Sequence, residues 1–202
     1  MKLYSTTTSP FVRKVLVVAH ERGLADRLEL VTLRPSPLEK SDELSRANPL
    51  NKIPALVLAD GTTLYDSAVI CEYVDSLGQG PGLVPPQGPD RWRVLRLHAL
   101  ADGVIEAGVQ VYYERALRPA DRQWEPWIAG QLEKVNQGLD ALDAECSRFG
   151  TLVDLGVIGA AAAIGWLSFR AVTEPLKGRA SLERWYRAFA ERPSMRATAP
   201  HA

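Results

Sequence analysis

Residues 78–89 read GQGPGLVPPQGP, and no other stretch of this chain restricts its fold as strongly. Four Gly and four Pro in twelve residues cannot continue a helix or a strand, because Pro lacks the N–H and Gly favours irregular backbone. The chain is therefore expected to break there into two pieces with different hydrophobic periods. Short alternating runs precede the break, and apolar residues at three- and four-residue intervals follow it. This predicts a mixed strand-and-helix domain over residues 1–78, a linker over 79–89 and an all-helical domain over 90–202. The 202 residues, 46% of them hydrophobic, are enough for one large domain or two small ones.

In the first piece, residues 2–5 and 28–33 read as strands. Residues 55–59 and 62–65 form two short runs joined by Asp60-Gly61, a dipeptide that tolerates the positive φ of a hairpin turn. A helix is expected between the first two strands, with Ser9 as N-cap, Pro10 at the first position and Gly23 closing it. A second helix follows the hairpin, with Asp66 or Ser67 as cap and Val69, Ile70, Tyr73, Val74 and Leu77 at helical spacing. The order is β-α-β, a variable segment, then β-β-α.

The second piece reads as helix throughout. A long helix is expected from Arg91 to about Leu117. The next carries Trp124, Ile128, Leu132, Val135, Leu139, Leu142 and Cys146 on one stripe, with Cys146 as a small core residue. Thr151-x-x-Asp154 resembles a capping box that opens an Ala-rich helix to about Ala171. The small residues at 159–163 and 165 let that helix sit close to its neighbours, so it is expected at the centre of the bundle. A last amphipathic helix covers residues 182–191, before a loose tail.

Composition excludes several classes. Lys plus Arg and Asp plus Glu are 24 each, so no basic excess draws the chain to nucleic acid or anionic lipid. Arg91, Arg93 and Arg96 read as a solvated face or a subunit contact. Cys71 and Cys146 offer neither a disulfide framework nor a metal-binding pair, which fits a reducing compartment. His20, His98 and His201 lack metal-ligand spacing. The first residues turn polar too soon for a secretory signal, and the longest apolar run, residues 155–167, is short of the roughly 20 residues a membrane helix needs. A cytoplasmic location is the expectation.

Three short segments carry chemistry. Ser9-Pro10-Phe11-Val12 puts a hydroxyl at a helix N-terminus, which favours an anion; Ser9 and Val12 stand where thioredoxin-like oxidoreductases carry a CxxC, so dithiol chemistry is unavailable. In Lys52-Ile53-Pro54, the proline pushes Ile53 toward extended backbone and presents its N–H and C=O. Asp66-Ser67 sets a carboxylate and a hydroxyl at a helix start, suited to the two charges of an amino-acid head group. Each segment alone also reads as ordinary structure: a cap, a strand-start proline, a cap pair.

Their order and spacing resemble the glutathione S-transferase superfamily, closest to its serine-type bacterial members. The resemblance rests on Ser-Pro-Phe after the first strand, Asn48-Pro49-x-x-Lys52-Ile53-Pro54 before the third, and Asp-Ser-x-x-Ile-x-x-Tyr after the hairpin. It extends through the linker and the helical half. It implies a thioredoxin-like α+β first domain that binds glutathione, then an all-α bundle that contributes the electrophile pocket. Asp66 and Ser67 would hold the γ-glutamyl group, Ile53 before Pro54 the cysteinyl backbone and Lys52 the glycyl carboxylate. Ser9 would face the sulfur, a role Thr8 could share, and Phe11 counts among the glutathione-binding residues. Tyr112, Tyr113 and Trp166 are candidates for the electrophile pocket. Glutathione is then the co-substrate, no metal is needed and a homodimer is implied. Alternatives are a non-catalytic binding member of the superfamily and a glutathione-dependent isomerase or dehalogenase. A disulfide reductase working through Cys71 is disfavoured, since Cys71 lies inside the helix after Asp66.

Overall fold

The computed structural model describes residues 1–201, which form two compact units: residues 1–86 together with 193–201, and residues 87–192. In the first unit, β1 (Lys2–Ser5), α1 (Pro10–Glu21) and β2 (Glu29–Thr32) form a parallel β-α-β unit. After α2 (Asp42–Ala47), β3 (Ala55–Val57) and β4 (Thr63–Leu64) make the hairpin that leads into α3 (Ser67–Ser76). The strand order is β2-β1-β3-β4, with β3 antiparallel to both neighbours. This is the thioredoxin-like arrangement.

Alternation along the strands splits the core into two layers. Tyr4 and Ala55 cluster with Leu44 and Ala47 of α2. Leu3 and Leu56, both fully buried, serve the opposite face, where α1 and α3 pack on each other. α2 lies in the segment expected to be variable. Its signals are the Ser41 cap, whose Oγ accepts the Leu44 N–H, and the buried pair Leu44 and Ala47 one turn apart. On α3, Val69 and Leu77 of the expected apolar stripe are exposed, and Cys71 takes an inward position beside Ile70 and Val74.

The Gly/Pro segment is tied down on the first unit. The Asp75 carboxylate pairs with Arg22 at 3.1 Å and accepts the Leu83 and Val84 N–H groups, while Arg22 donates to the Pro81 carbonyl at 2.7 Å. Leu83 and Val84 are buried, so their side chains help anchor a stretch that cannot form a helix or strand. The linker is irregular but fixed as far as Pro86.

The second unit is helical: α4 (Pro89–Leu117), α5 (Glu125–Glu145), α6 (Leu155–Phe169) and α7 (Ala180–Ala190). Residues 155–167 are all buried, and α6 packs chiefly on α4, as its small residues predict. A Cβ on Gly156 would lie 2.9 Å from Leu97 Cβ, so the approach there requires glycine. The expected capping box is replaced by a single cap. Asp154 itself is the N-cap, accepting the Val157 N–H at 3.0 Å, and Arg93 pairs with it. An Asp side chain reaches the amide three residues on without help from Thr151. Trp124 stands at the N-cap position of α5, without a side-chain capping bond, and is exposed, outside the core stripe. Cys146 is buried, and burial, then Asp143, pushes its thiol up.

Residues 193–201 differ from the expectation of a loose tail in a domain running to residue 202. They open with α8 (Pro193–Ala197) and belong to the first unit, because Met195 and Ser194 are buried against α1. Among the described residues, no helix is long and apolar enough to cross a membrane.

Removing one member of a buried ion pair strands the other, at a cost of about 3–5 kcal/mol. Asp75→Ala should lower the unfolding free energy by about that amount in urea titration, through Arg22 and the released linker.

Candidate functional site

The register of the sheet decides where the three motifs lie. Tyr4 pairs with Ala55 across antiparallel β1 and β3, so Pro54 stands beside the end of β1 from which the Ser9 loop departs. Leu56 pairs with Leu64, so Tyr65 and Asp66 leave β4 beside Ala55 and Pro54. All three turns emerge at one end of the sheet. Two strand spacings separate β1 from β4, about 10 Å. Three extended residues span about the same length.

Ser9 has the extended backbone of an N-cap, and its Oγ accepts the Val12 N–H at 3.3 Å. A hydroxyl has one proton and two acceptor sites, so this bond leaves the O–H free to donate. The capping reading and the donor reading of Ser9 are therefore compatible. Pro10 is buried behind it, and Phe11 lies with Lys14 Nζ 5.5 Å from its ring centre. Thr8 is half-buried beside Ser9.

The Ile53-Pro54 peptide bond is cis. The ladder begins at Ala55, so the backbone groups of Ile53 lie outside the sheet. Two asparagines shape the approach. Buried Asn48 donates from Nδ2 to the Lys52 carbonyl at 2.8 Å and accepts the Leu50 N–H at 3.0 Å. Asn51 takes φ 53°, a conformation asparagine tolerates, and its Oδ1 accepts from the Ser41 N–H and the Ser45 hydroxyl. Within its motif Asn48 is marked in the sequence only by the Asn-Pro turn signal, which does not reveal this bracing task. Lys52 is exposed.

Asp66, after a cis bond from Tyr65, caps α3 by accepting the Ala68 N–H at 3.0 Å on Oδ1. The residue is exposed, so its other oxygen can meet a cation in solvent. Ser67 is buried at the first helical position, beside α3 amides that favour an anion. One sheet end thus presents a hydroxyl donor, a peptide edge, and a carboxylate next to a helix N-terminus.

The remaining candidates belong to the second unit. Tyr112 stands edge-on to Trp166 at 6.2 Å and lies 5.9 Å from Tyr113, with the Arg170 guanidinium 4.6 Å over its ring. Burial, and then Tyr112, pushes the Tyr113 phenol up, against the pull of Arg170, so it remains a donor at neutral pH. Among the described residues, no group of three or more His, Cys, Asp and Glu side chains is arranged to hold a metal. An open depression of about 330 Å³ adjoins Tyr4, Glu43 and Arg46 on the α2 side and contains none of the motif residues.

A thioredoxin-like unit and a helical unit in one chain, with these turns at one sheet end, define the class. A family profile described as "Glutathione S-transferase, N-terminal domain" matches residues 8–77. The chain is 36% identical to the uncharacterized GST-like protein YibF of Escherichia coli K12, over 85% of this chain and 84% of that protein. A glutathione transferase family member from Pseudomonas fluorescens Pf-5, solved with bound glutathione, is 42% identical with a TM-score of 0.97, covering 100% of this chain and 99% of that one. A glutathione S-transferase from Methylobacillus flagellatus KT, also with glutathione bound, is 34% identical with a TM-score of 0.87, covering 99% of each. The chain belongs to the glutathione S-transferase superfamily.

The capping role of Asp66 can be tested apart from its charge. Asn caps as well as Asp, and Ala does not. Asp66→Ala should cost about 1 kcal/mol of stability and Asp66→Asn close to none, read by thermal or urea unfolding.

Proposed function

We propose that this chain is a glutathione transferase that joins the glutathione thiolate to a small hydrophobic electrophile, with the Ser9 hydroxyl donating a hydrogen bond to the sulfur. The observation that carries the reading is the position of Ser9: it caps α1 with its proton still available, at the sheet end shared with Ile53-Pro54 and Asp66-Ser67. In this reading the Asp66 carboxylate meets the γ-glutamyl ammonium, and Ser67 with the first α3 amides meets its carboxylate. Ile53 pairs with the cysteinyl backbone in the manner of an added strand. Lys52, exposed at the far side of the same turn, meets the glycyl carboxylate, and Phe11 flanks the sulfur. The glutathione held by the Pseudomonas and Methylobacillus proteins supports the ligand.

The energetics are sufficient. Lowering a thiol pKa from about 8.5 by about 2 units requires about 2.7 kcal/mol. A hydrogen bond to a charged group supplies roughly 1.5–3 kcal/mol, and a helix N-terminus about 0.3–1. The Val12 N–H that Ser9 accepts polarises its hydroxyl and strengthens the donation. The thiol proton leaves to solvent as glutathione binds. The sulfur lone pair then forms a C–S bond to the electrophilic carbon, and the leaving group departs with its bonding pair or an epoxide ring opens. Half-buried Tyr112 and Tyr113 are the aromatic candidates for the electrophile on the second unit, and buried Trp166 backs Tyr112. The homodimer is part of this proposal: Val69 of α3 and Trp92 of α4 leave large apolar side chains exposed for it.

Ser9→Ala should leave glutathione affinity within about threefold by calorimetry and lower kcat/KM toward an aryl halide about 10- to 100-fold, the value of one charge-assisted hydrogen bond. Equal activity of the two proteins would reject Ser9. If the unmodified protein were not retained on immobilised glutathione at neutral pH, the non-catalytic reading would replace this one. A panel of aryl halides, epoxides and α-halo acids separates conjugation from isomerase or dehalogenase chemistry.

A further inference from the structure

The segment 193–201 runs back along α1 and is bonded to it at both ends and in the middle. The Ser194 hydroxyl donates to Glu21 Oε1 at the last residue of α1. Arg13 Nη2 donates to the Met195 carbonyl at 3.1 Å in a buried contact, and Thr198 Oγ1 donates to the Ser194 carbonyl at 2.8 Å. Thr7 Oγ1 donates to the His201 carbonyl at 2.8 Å. Thr7 lies just ahead of α1, two residues before Ser9, so the contacts cover the full helix, about 18 Å for its 12 residues. Met195 is 1% and Arg13 7% exposed, which makes the middle of this strap a core contact.

The end at Thr7 bears on the sulfur side of the site. Residues 6–8 are polar hydroxyl residues, and Thr7 is exposed, so apolar packing does little to fix the loop. Its own turn is closed by a long contact, Ser9 N–H to the Thr6 carbonyl at 3.4 Å. Ser9 itself is tied to α1 by the Arg13 N–H on its carbonyl at 3.0 Å and the Val12 N–H on its Oγ at 3.3 Å, and the bond from Thr7 to His201 ties the residues just ahead of it. We propose that the segment 193–201 is a strap belonging to the glutathione site, and that Thr7 is a positioning residue that sets the Ser9 hydroxyl by holding the loop to the His201 carbonyl. This rests on the reading of Ser9 as the thiolate donor. An α1 that is clamped at Glu21 and Arg13 but released at Thr7 would keep its fold and its hold on Ser9, while the turn ahead of the cap loosens and the Ser9 hydroxyl leaves its line; a donor off its line loses most of its effect.

The test compares Thr7→Val, which keeps the shape and removes the donor, with Thr7→Ser, which restores it. Thr7 is exposed, so neither change threatens the core. Thr7→Val should speed amide hydrogen exchange at Ser9 and Val12 several-fold, with melting temperature held. It should raise the pKa of bound glutathione, followed by thiolate absorbance, by about half to one unit, and lower kcat/KM roughly 3- to 10-fold, the share of one neutral hydrogen bond. Thr7→Ser should recover all three. Ser9→Ala is run beside them. If Ser9→Ala moves the thiol pKa and Thr7→Val does not, the strap is overturned and the donor reading stands. If neither moves it, the donor reading fails and the positioning role fails with it, even where exchange at Ser9 has risen. Failure of Thr7→Ser to rescue also overturns the proposal.

Discussion

The antiparallel pairing of β1 with β3 is the constraint on which the rest of the first unit depends. Had β3 run parallel to β1, its proline turn would open at the opposite end of the sheet from Ser9. With Tyr4 opposite Ala55, the C-terminal end of β1 and the N-terminal end of β3 coincide, and the hairpin then returns Asp66 to the same place. A distance of about 10 Å across three strands follows from sheet geometry alone. Local choices hold each turn once it is there: Ser9 and Asp66 cap the two helices, and Asn48 and Asn51 brace the approach to Ile53-Pro54.

The two caps carry a second lesson. A capping side chain accepts from the helix, and what remains differs with its chemistry. Serine keeps a proton to give, whereas aspartate keeps a charged oxygen. The same structural task therefore leaves a donor at one helix start and an acceptor at the other, which suits a ligand with a thiolate at one point and an ammonium at another. In the proposed reading no separate catalytic scaffold is needed, because the groups that end the helices are the ones that meet the ligand.

Much of this was legible in the residues. Period two before the Gly/Pro segment and period three to four after it gave the two-unit architecture; Ser9-Pro10 marked the first helix start to the residue, and Asp66-Ser67 marked the other to within one. What stayed hidden depended on contacts distant in sequence. The helix Asp42–Ala47 is too short for periodicity to reveal, and its face is defined by Tyr4 and Ala55. The anchoring of the linker needs Arg22 and Asp75 to meet, and polarity at residues 193–201 looked like a tail because its partners, Thr7, Arg13 and Glu21, lie at the other end of the chain. Asp154 shows the smaller error: two residues at capping-box spacing suggested a pair where one carboxylate does the work.

The central claim is that three turns far apart in sequence make one glutathione site on the first unit. Amide chemical-shift mapping of the isotopically labelled protein titrated with glutathione tests it directly. The account predicts the main saturable shifts at the amides of Ile53, Ser67 and the residues around Ser9, tracking one another with a single dissociation constant. Saturable shifts that bypass these turns, or no shifts at millimolar glutathione, would contradict it.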